Sequence, residues 1–543
     1  MQNVGVPTVH VAGTKGKGST AAMVASGELP PVEQRLPDEP LVLQVAEIGT
    51  YGGIFKRLQT SVGDMSSNAG RITSHGMNRS ANIGIGYVPL TIRSQTPNAT
   101  GDVWTVKLNK GLKWSDGAPL TADDYAYAYE IQTDTEVYPR LPKHLLESGE
   151  PIVQISKIDD FTVEFRYRQP NWLHETVVFY SATRDVLPYV PSHYFKELNG
   201  NYNPDAQKNA EAADFETWEK YYTSMASPVE NPDRPFSGAW VWNDPRSEDI
   251  VRFSRNHYFG WIDEEGNQLP YIEYLKFGPS AGGTDAVALA GVQGDLDFQG
   301  RHLKMEHFPV LKEGEAKGGY TVNFIGDPNG TDLSLTTNLT YDGPGAEFLK
   351  NKDWRIAISY AIDRDAISEG YYLGESLPRN SLPETTHPFY PGPEYERKFG
   401  TYEPELANSM LDDIMGPKDS DGFRTLANGD RFEFVISARD AYASMTAGAE
   451  LLCRDIQQVG VRCLPEVLGG SLLSQRGKDN EIMGKTTWAM GAADLGGVGK
   501  DVLLEQSPNV IELLDLKFGY CRLVLAGCQK IEPADLTHNL RIA

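Results

Sequence analysis

Cysteine is scarce: the chain has four in 543 residues, too few for a disulfide framework to be read from their number. None belongs to a Cys-x-x-Cys pair or has a companion histidine cluster, so no metal ligand set is assigned and no cofactor is expected. Cys453 falls in a predicted helix and Cys463 at the start of the next strand, near enough in sequence to meet, so a structural disulfide or buried thiols are expected there. Cys521 and Cys528 lie in a short apolar tail. Long hydrophobic runs are missing too, and nothing approaches the roughly 20 apolar residues of a membrane span. Basic charge is in deficit, 50 Lys and Arg against 74 Asp and Glu for a net charge of -24. That balance disfavours phosphate backbones and anionic lipid, so no nucleic-acid partner is expected. Catalytic signatures are absent as well: there is no Gly-x-Ser-x-Gly or His-Glu-x-x-His. His193 adjoins Ser192 without a carboxylate to orient it and is read as structural, so no catalytic residue is assigned.

What is present is a large, loop-rich globular chain. With 543 residues it exceeds what one core normally supports, so two or three domains are expected. The clearest stretch runs from Trp104 to Tyr129. Trp104, Val106 and Leu108 alternate with polar residues as in a strand with one buried face. Asp116-Gly117 makes a turn, and Thr121 with Asp124 three positions later forms the start signal of a helix that buries Tyr125, Ala128 and Tyr129. Residues 161–167 alternate again, and Val251 and Phe253 face inward around an outward Arg252. Residues 283–300 read as a short helix, a Gly-Asp turn and a further strand. From Trp354 the spacing of Ile356, Ala357, Tyr360 and Ala361 gives a helix with a broad apolar face, ending near Asp363-Arg364. Strand 432–438, helix 442–459 and the strand Val461–Val467 then give a second α/β unit.

The amino end carries a separate signal. In TVHVAGTKGKGSTAAMVASG a β-like run leads to a Gly/Lys loop and a small helix, an order suited to phosphate. It resembles the nucleotide loop of folylpolyglutamate synthases and Mur-type ligases. On that resemblance Gly16, Lys17, Ser19 and Thr20 are nucleotide-binding candidates, and ATP-dependent ligation is an alternative function. Gly27 and Pro30-Pro31 stop the helix after about two turns. A secretory signal has a basic start and a continuous apolar center, and this segment shows neither convincingly.

The body of the chain resembles family 5 of the extracellular solute-binding proteins of ABC importers, receptors for dipeptides, oligopeptides and oligosaccharides. The motifs that carry the resemblance are LNKGLKWSDGAPLTADDYAYAYE (108–130), VPSHYF (190–195), RNHYFGWIDEEGNQLPYIEYLKF (255–277), GVQGDLDFQG (291–300) and FLKNKDWRIAISYAIDRDAI (348–367). It covers roughly residues 28–490. It implies an α/β, bilobed type II periplasmic-binding fold with a small accessory domain, in apparently abbreviated form. The expected division is an atypical amino-terminal segment (1–28), a first-lobe segment (29–60), the accessory domain (61–160), the rest of the first lobe (161–278), the second lobe (279–490) and an abbreviated return with an atypical tail (491–543). The resemblance also implies a protein that is no enzyme, located in the periplasm or at the cell surface. It would capture a small oligopeptide reversibly between its lobes for an ABC importer permease, with oligosaccharide as the alternative. Trp240, Trp242, Trp261 and Trp488 are candidate ligand-facing aromatics. Asp494, which resembles the family's acidic position near the lobe crossover, is a candidate for a peptide amino group.

Overall fold

A computed structural model describes residues 20–59, 72–80, 87–139, 146–147, 150–151, 153–172, 174, 189–228, 231, 233–243, 251–279, 282–325, 333–380, 390–440, 442–487, 511–518 and 522–526. The first part of the chain contributes β1 (Leu41–Leu43) and β2 (Gly52–Gln59). The accessory unit follows with β3 (Ile92–Pro97), β4 (Val103–Leu108), α1 (Ala122–Thr133), β5 (Val153–Asp159) and β6 (Thr162–Tyr167). Its four strands form an antiparallel sheet in the order β3-β4-β6-β5.

Local chemistry explains the unit. Trp104, Val106 and Leu108 all point inward from β4 and meet Val163, Phe165 and Tyr167 of β6 in one core. In the turn that follows, Asp116 accepts a hydrogen bond from the Ala118 N–H (3.0 Å). Gly117 has φ 89°, and a Cβ there would lie 2.9 Å from the Tyr258 ring, so only glycine fits. The Asp124 carboxylate accepts the Thr121 N–H at 2.9 Å and so satisfies a donor exposed at the start of α1. β6 is paired in this sheet, so the accessory unit runs past residue 160, where the sequence division had ended it, through Tyr167.

The first lobe is built on β7 (Trp240–Trp242), β8 (Val251–Arg255), β9 (Trp261–Asp263) and β10 (Ile272–Pro279). Its sheet has the order β7-β8-β10-β2, and β10 runs parallel to β2; β1 pairs separately with β9. Val251 and Phe253 are buried while Arg252 between them is exposed, as their alternation requires.

From β10 the chain passes through α2 (Gly283–Gln293), β11 (Phe298–Gln299), α3 (Phe308–Gly318) and β12 (Thr321–Ile325). It then enters the second lobe: β13 (Leu333–Asn338), α4 (Lys352–Tyr360), α5 (Arg364–Tyr371), β14 (Pro378–Arg379), β15 (Phe434–Arg439), α6 (Ala443–Gln458), β16 (Cys463–Leu468) and β17 (Gly484–Thr487). Trp354, Ala357, Ile358 and Ala361 are buried in this lobe's core with Leu452 and Ile456 of α6. The helix expected to run to Asp363-Arg364 is two helices, because the Asp363 carboxylate caps the second by accepting the Ala366 N–H at 2.9 Å. Cys453 and Cys463 form a disulfide that ties α6 to β16.

Two strands come from the tail, β18 (Ile511–Phe518) and β19 (Arg522–Ala526). The second-lobe sheet has the order β14-β18-β13-β17-β15-β16, so β18 fills an interior place, while β19 lies between β11 and β12. Among the described residues, no helix is long and apolar enough to cross a membrane.

Candidate functional site

β2 and β10 end side by side, with Gln59 level with Pro279. Beyond that point β11 is fastened back onto β2 by side chains. Asp297 accepts the Lys56 N–H at 2.7 Å and returns its own N–H to the Lys56 carbonyl at 3.1 Å. The Gln299 amide accepts the Leu58 N–H at 3.2 Å and donates to the carbonyls of Leu58 (3.0 Å) and Arg301 (2.5 Å). These two side chains stand in for a strand ladder and hold the crossover.

Arg301 then reaches the second lobe. Its guanidinium donates to the Tyr442 hydroxyl at 3.2 Å and lies 5.5 Å from that ring's centroid, while Arg439 lies 5.2 Å from the same centroid. Gln299 and Arg301 therefore link the end of β2 to Tyr442 of the second lobe, and Gln59 stands at the carboxyl end of the same parallel strand pair, the place where open α/β sheets take ligands.

The tryptophans singled out from sequence lie elsewhere. Trp240 donates its indole N–H to the carbonyl of Ile272 (3.2 Å), the first residue of β10 and so the end opposite Pro279. Trp242 stands edge-on to Phe253 at 4.8 Å, and Trp261 packs against Phe259 (4.8 Å) and the His75 ring (4.9 Å). All three belong to the first-lobe core, and the structure does not bring them to the crossover. Trp488 and Asp494 lie outside the described residues, as do Gly16, Lys17 and Ser19. Thr20 is buried with its hydroxyl 3.3 Å from Nδ1 of His257, so the structure seats it against the first lobe.

His257 belongs to a buried cationic cluster. Burial, with Arg255 and Arg35 nearby, pushes its pKa down to about 4, and burial likewise lowers Arg35 to about 10. Gln268 holds the cluster together, accepting from Arg35 through its side chain (2.7 Å) and from Arg255 (2.8 Å) and Tyr51 (2.7 Å) through its carbonyl. Sequence reasoning passed over Gln59, Asp297, Gln299 and Arg301. The usable signal was the motif GDLDFQG, which holds Asp297 and Gln299 at alternate positions on one strand face.

Known proteins match this architecture. Residues 86–494 match the bacterial extracellular solute-binding proteins, family 5. The "Periplasmic alpha-galactoside-binding protein" of Rhizobium meliloti (strain 1021) is 27% identical over 498 residues, covering 83% of this chain and 67% of that protein. Among solved structures, "oligopeptide-binding protein OppA" is 27% identical with a TM-score of 0.67, covering 93% of this chain and 79% of that one. The periplasmic binding protein MelB of Agrobacterium fabrum C58, solved with stachyose, shares the fold with a TM-score of 0.70 at 20% identity, over 93% of this chain and 86% of that one. The tail is different: residues 481–543 match ATP phosphoribosyltransferase, and the enzyme of Caldanaerobacter subterraneus subsp. tengcongensis is 57% identical over 53 residues, 10% of this chain and 25% of the enzyme. That short match is confined to the tail, whereas the solute-binding match spans the accessory unit and both lobes. The chain belongs to family 5 of the bacterial extracellular solute-binding proteins.

Proposed function

We propose that this receptor captures an uncharged oligosaccharide of the α-galactoside class between its lobes and delivers it to the permease of an ABC importer. The observation that carries the solute class is the 27% identity, over 83% of the chain, to a protein named for α-galactoside binding. The solute bridges the first lobe and the second near the Arg301–Tyr442 contact, and it favours closure by the difference between its affinities for the closed and open forms. The compartment is the periplasm or the cell surface, and the Cys453–Cys463 disulfide suits an oxidising environment.

Oligopeptide is the second reading, as expected from sequence, and the 27% identity to OppA favours it. The two differ in charge. A neutral sugar is held by hydrogen bonds and stacking, so its affinity changes little with salt, whereas the terminal charges of a peptide are screened. The test is thermal unfolding of the purified chain with stachyose, with a pool of oligopeptides and with ATP-magnesium. A ligand at a hundredfold excess over its Kd stabilises by roughly 2.7 kcal/mol. A shift with stachyose that persists at high salt supports the proposal; a shift with peptides alone transfers the function to the second reading.

A further inference from the structure

We propose that Gln59 is a solute-contacting, specificity-determining residue whose side-chain amide hydrogen-bonds the captured molecule. The inference rests on the solute-binding reading and deepens it by naming a contact. Gln59 is the last residue of β2 and is 1% exposed, yet among the described residues neither its amide nitrogen nor its amide oxygen has a hydrogen-bond partner. Burying a primary amide with both ends unpaired is costly, so folding alone gives no reason for glutamine here. Methionine would fill the same length of strand without that penalty.

Position supplies the reason. Gln59 is level with Pro279 at the carboxyl end of the parallel pair β2–β10, where the chain leaves the first lobe. Its backbone neighbours are fixed, because one nitrogen of Gln299 donates both to the Leu58 carbonyl and to the Arg301 carbonyl. Arg301 in turn contacts Tyr442 of the second lobe. An amide without a partner among the described residues is therefore carried at the end of β2, next to the hydrogen bonds that run from Leu58 through Gln299 to Arg301 and on to Tyr442.

The chemistry of the amide selects the ligand class. It offers a donor and an acceptor without net charge, which matches a sugar hydroxyl that gives and takes a hydrogen bond. A peptide group is matched equally, so both solute classes are arms of the test. A charged terminus gains less from it than from an ion. A site built to hydrogen-bond one hydroxyl discriminates strongly against an analogue that lacks it.

The test compares the full chain with Gln59→Met and Gln59→Asn, using stachyose and an oligopeptide pool as probes. For the probe that the wild-type chain binds, Gln59→Met is expected to weaken affinity at least tenfold while the ligand-free protein melts at the same temperature or higher, because no internal hydrogen bond is lost. Gln59→Asn keeps the amide at shorter reach and is expected to fall between. Unchanged affinity in Gln59→Met overturns the inference. A lower ligand-free melting temperature in Gln59→Met, or failure of that variant to fold, also overturns it, since the amide would then be structural. Binding of peptides and not of stachyose by the wild type defeats the sugar reading while leaving the Gln59 comparison intact. Binding of neither removes the solute reading, and the ligand-free melting comparison still decides whether the amide is unpaired.

Discussion

The unit from Val103 to Thr133 and the tail strands β18 and β19 each complete a sheet, but they resemble different families. In the accessory unit side chains decide: a turn that only glycine fits, a carboxylate at the start of a helix, and aromatic residues on alternate positions of a strand. β18 pairs antiparallel with β13, Thr336 level with Leu513 and Thr337 with Glu512. The tail also matches a different family from the rest of the chain. A ladder of N–H and C=O groups is the same for every sequence, so pairing with β13 does not by itself select the side chains of β18, whereas the buried positions of the accessory unit select theirs by volume and by hydrogen bonding.

The largest effect that tests this contrast is at Asp124. Its carboxylate, 2% exposed, accepts from the Thr121 N–H (2.9 Å), the Trp114 indole (3.0 Å), the Ser192 N–H (2.9 Å) and the Ser192 hydroxyl (2.7 Å). Asp124→Ala leaves these donors unpaired in the interior and is expected to cost about 4 kcal/mol in denaturant unfolding. A cost under about 1 kcal/mol would mean that these side-chain hydrogen bonds do not hold the unit.

Next is the ladder itself. Adjacent strand residues direct their N–H groups to opposite sides, so the double variant Leu513→Pro/Leu514→Pro removes whichever of the two amides faces β13. The expected loss is about 3 kcal/mol, with faster amide exchange along Leu333–Asn338. An unaltered melting temperature with unaltered exchange in β13 would show that β18 contributes nothing to the lobe. The lobe's own covalent tie comes third. The Cys453–Cys463 bridge closes a short loop, with a sequence separation of 10, so Cys453→Ser with Cys463→Ser is expected to cost about 2–3 kcal/mol. If that loss grows when the two prolines are also present, the tail and the lobe core are coupled.

What could be read in advance follows the same division. Trp104, Val106 and Leu108 betray β4 because period-2 alternation is local, and Thr121 with Asp124 betrays α1 because capping is local as well. The second lobe was legible through Trp354 and Ala357, although fully buried Ile358, not the anticipated Ile356, took the core place. The position of β18 was not legible, because its partners lie more than a hundred residues away in β13 and β14. The candidate site was largely hidden for a related reason. Tryptophans draw attention as ligand platforms, yet Trp240, Trp242 and Trp261 are consumed by the first-lobe core, while Gln59 at the end of β2 looks in sequence like any polar residue at a strand terminus. Only the pairing of β2 with β10, separated by more than two hundred residues, sets Gln59 level with Pro279 at the end of a parallel pair.

The smallest effect lies in the turn of the accessory unit, and it is read by pH. Asp116 and His193 meet at 2.8 Å, both partly exposed. The hydrogen bond to Asp116 raises the His193 pKa against the opposing influence of burial, and the carboxylate charge adds to the rise. Burial pushes Asp116 upward, but the hydrogen bonds from His193 and the Ala118 N–H outweigh it and leave its pKa lowered. A raised histidine contributes stability that is complete below its unfolded pKa of about 6.5 and is lost as pH rises through the folded value; a lowered aspartate contributes above about 3.9 and loses its share as pH falls. The pair therefore stabilises most between those limits, by about 0.5 kcal/mol or less given its exposure. His193→Gln should remove the decline in melting temperature on the alkaline side of about pH 6.5 and leave the proline-variant difference in β18 unchanged. A decline that persists in His193→Gln would assign it to another group and leave this turn held by Gly117 and the Asp116–Ala118 hydrogen bond alone.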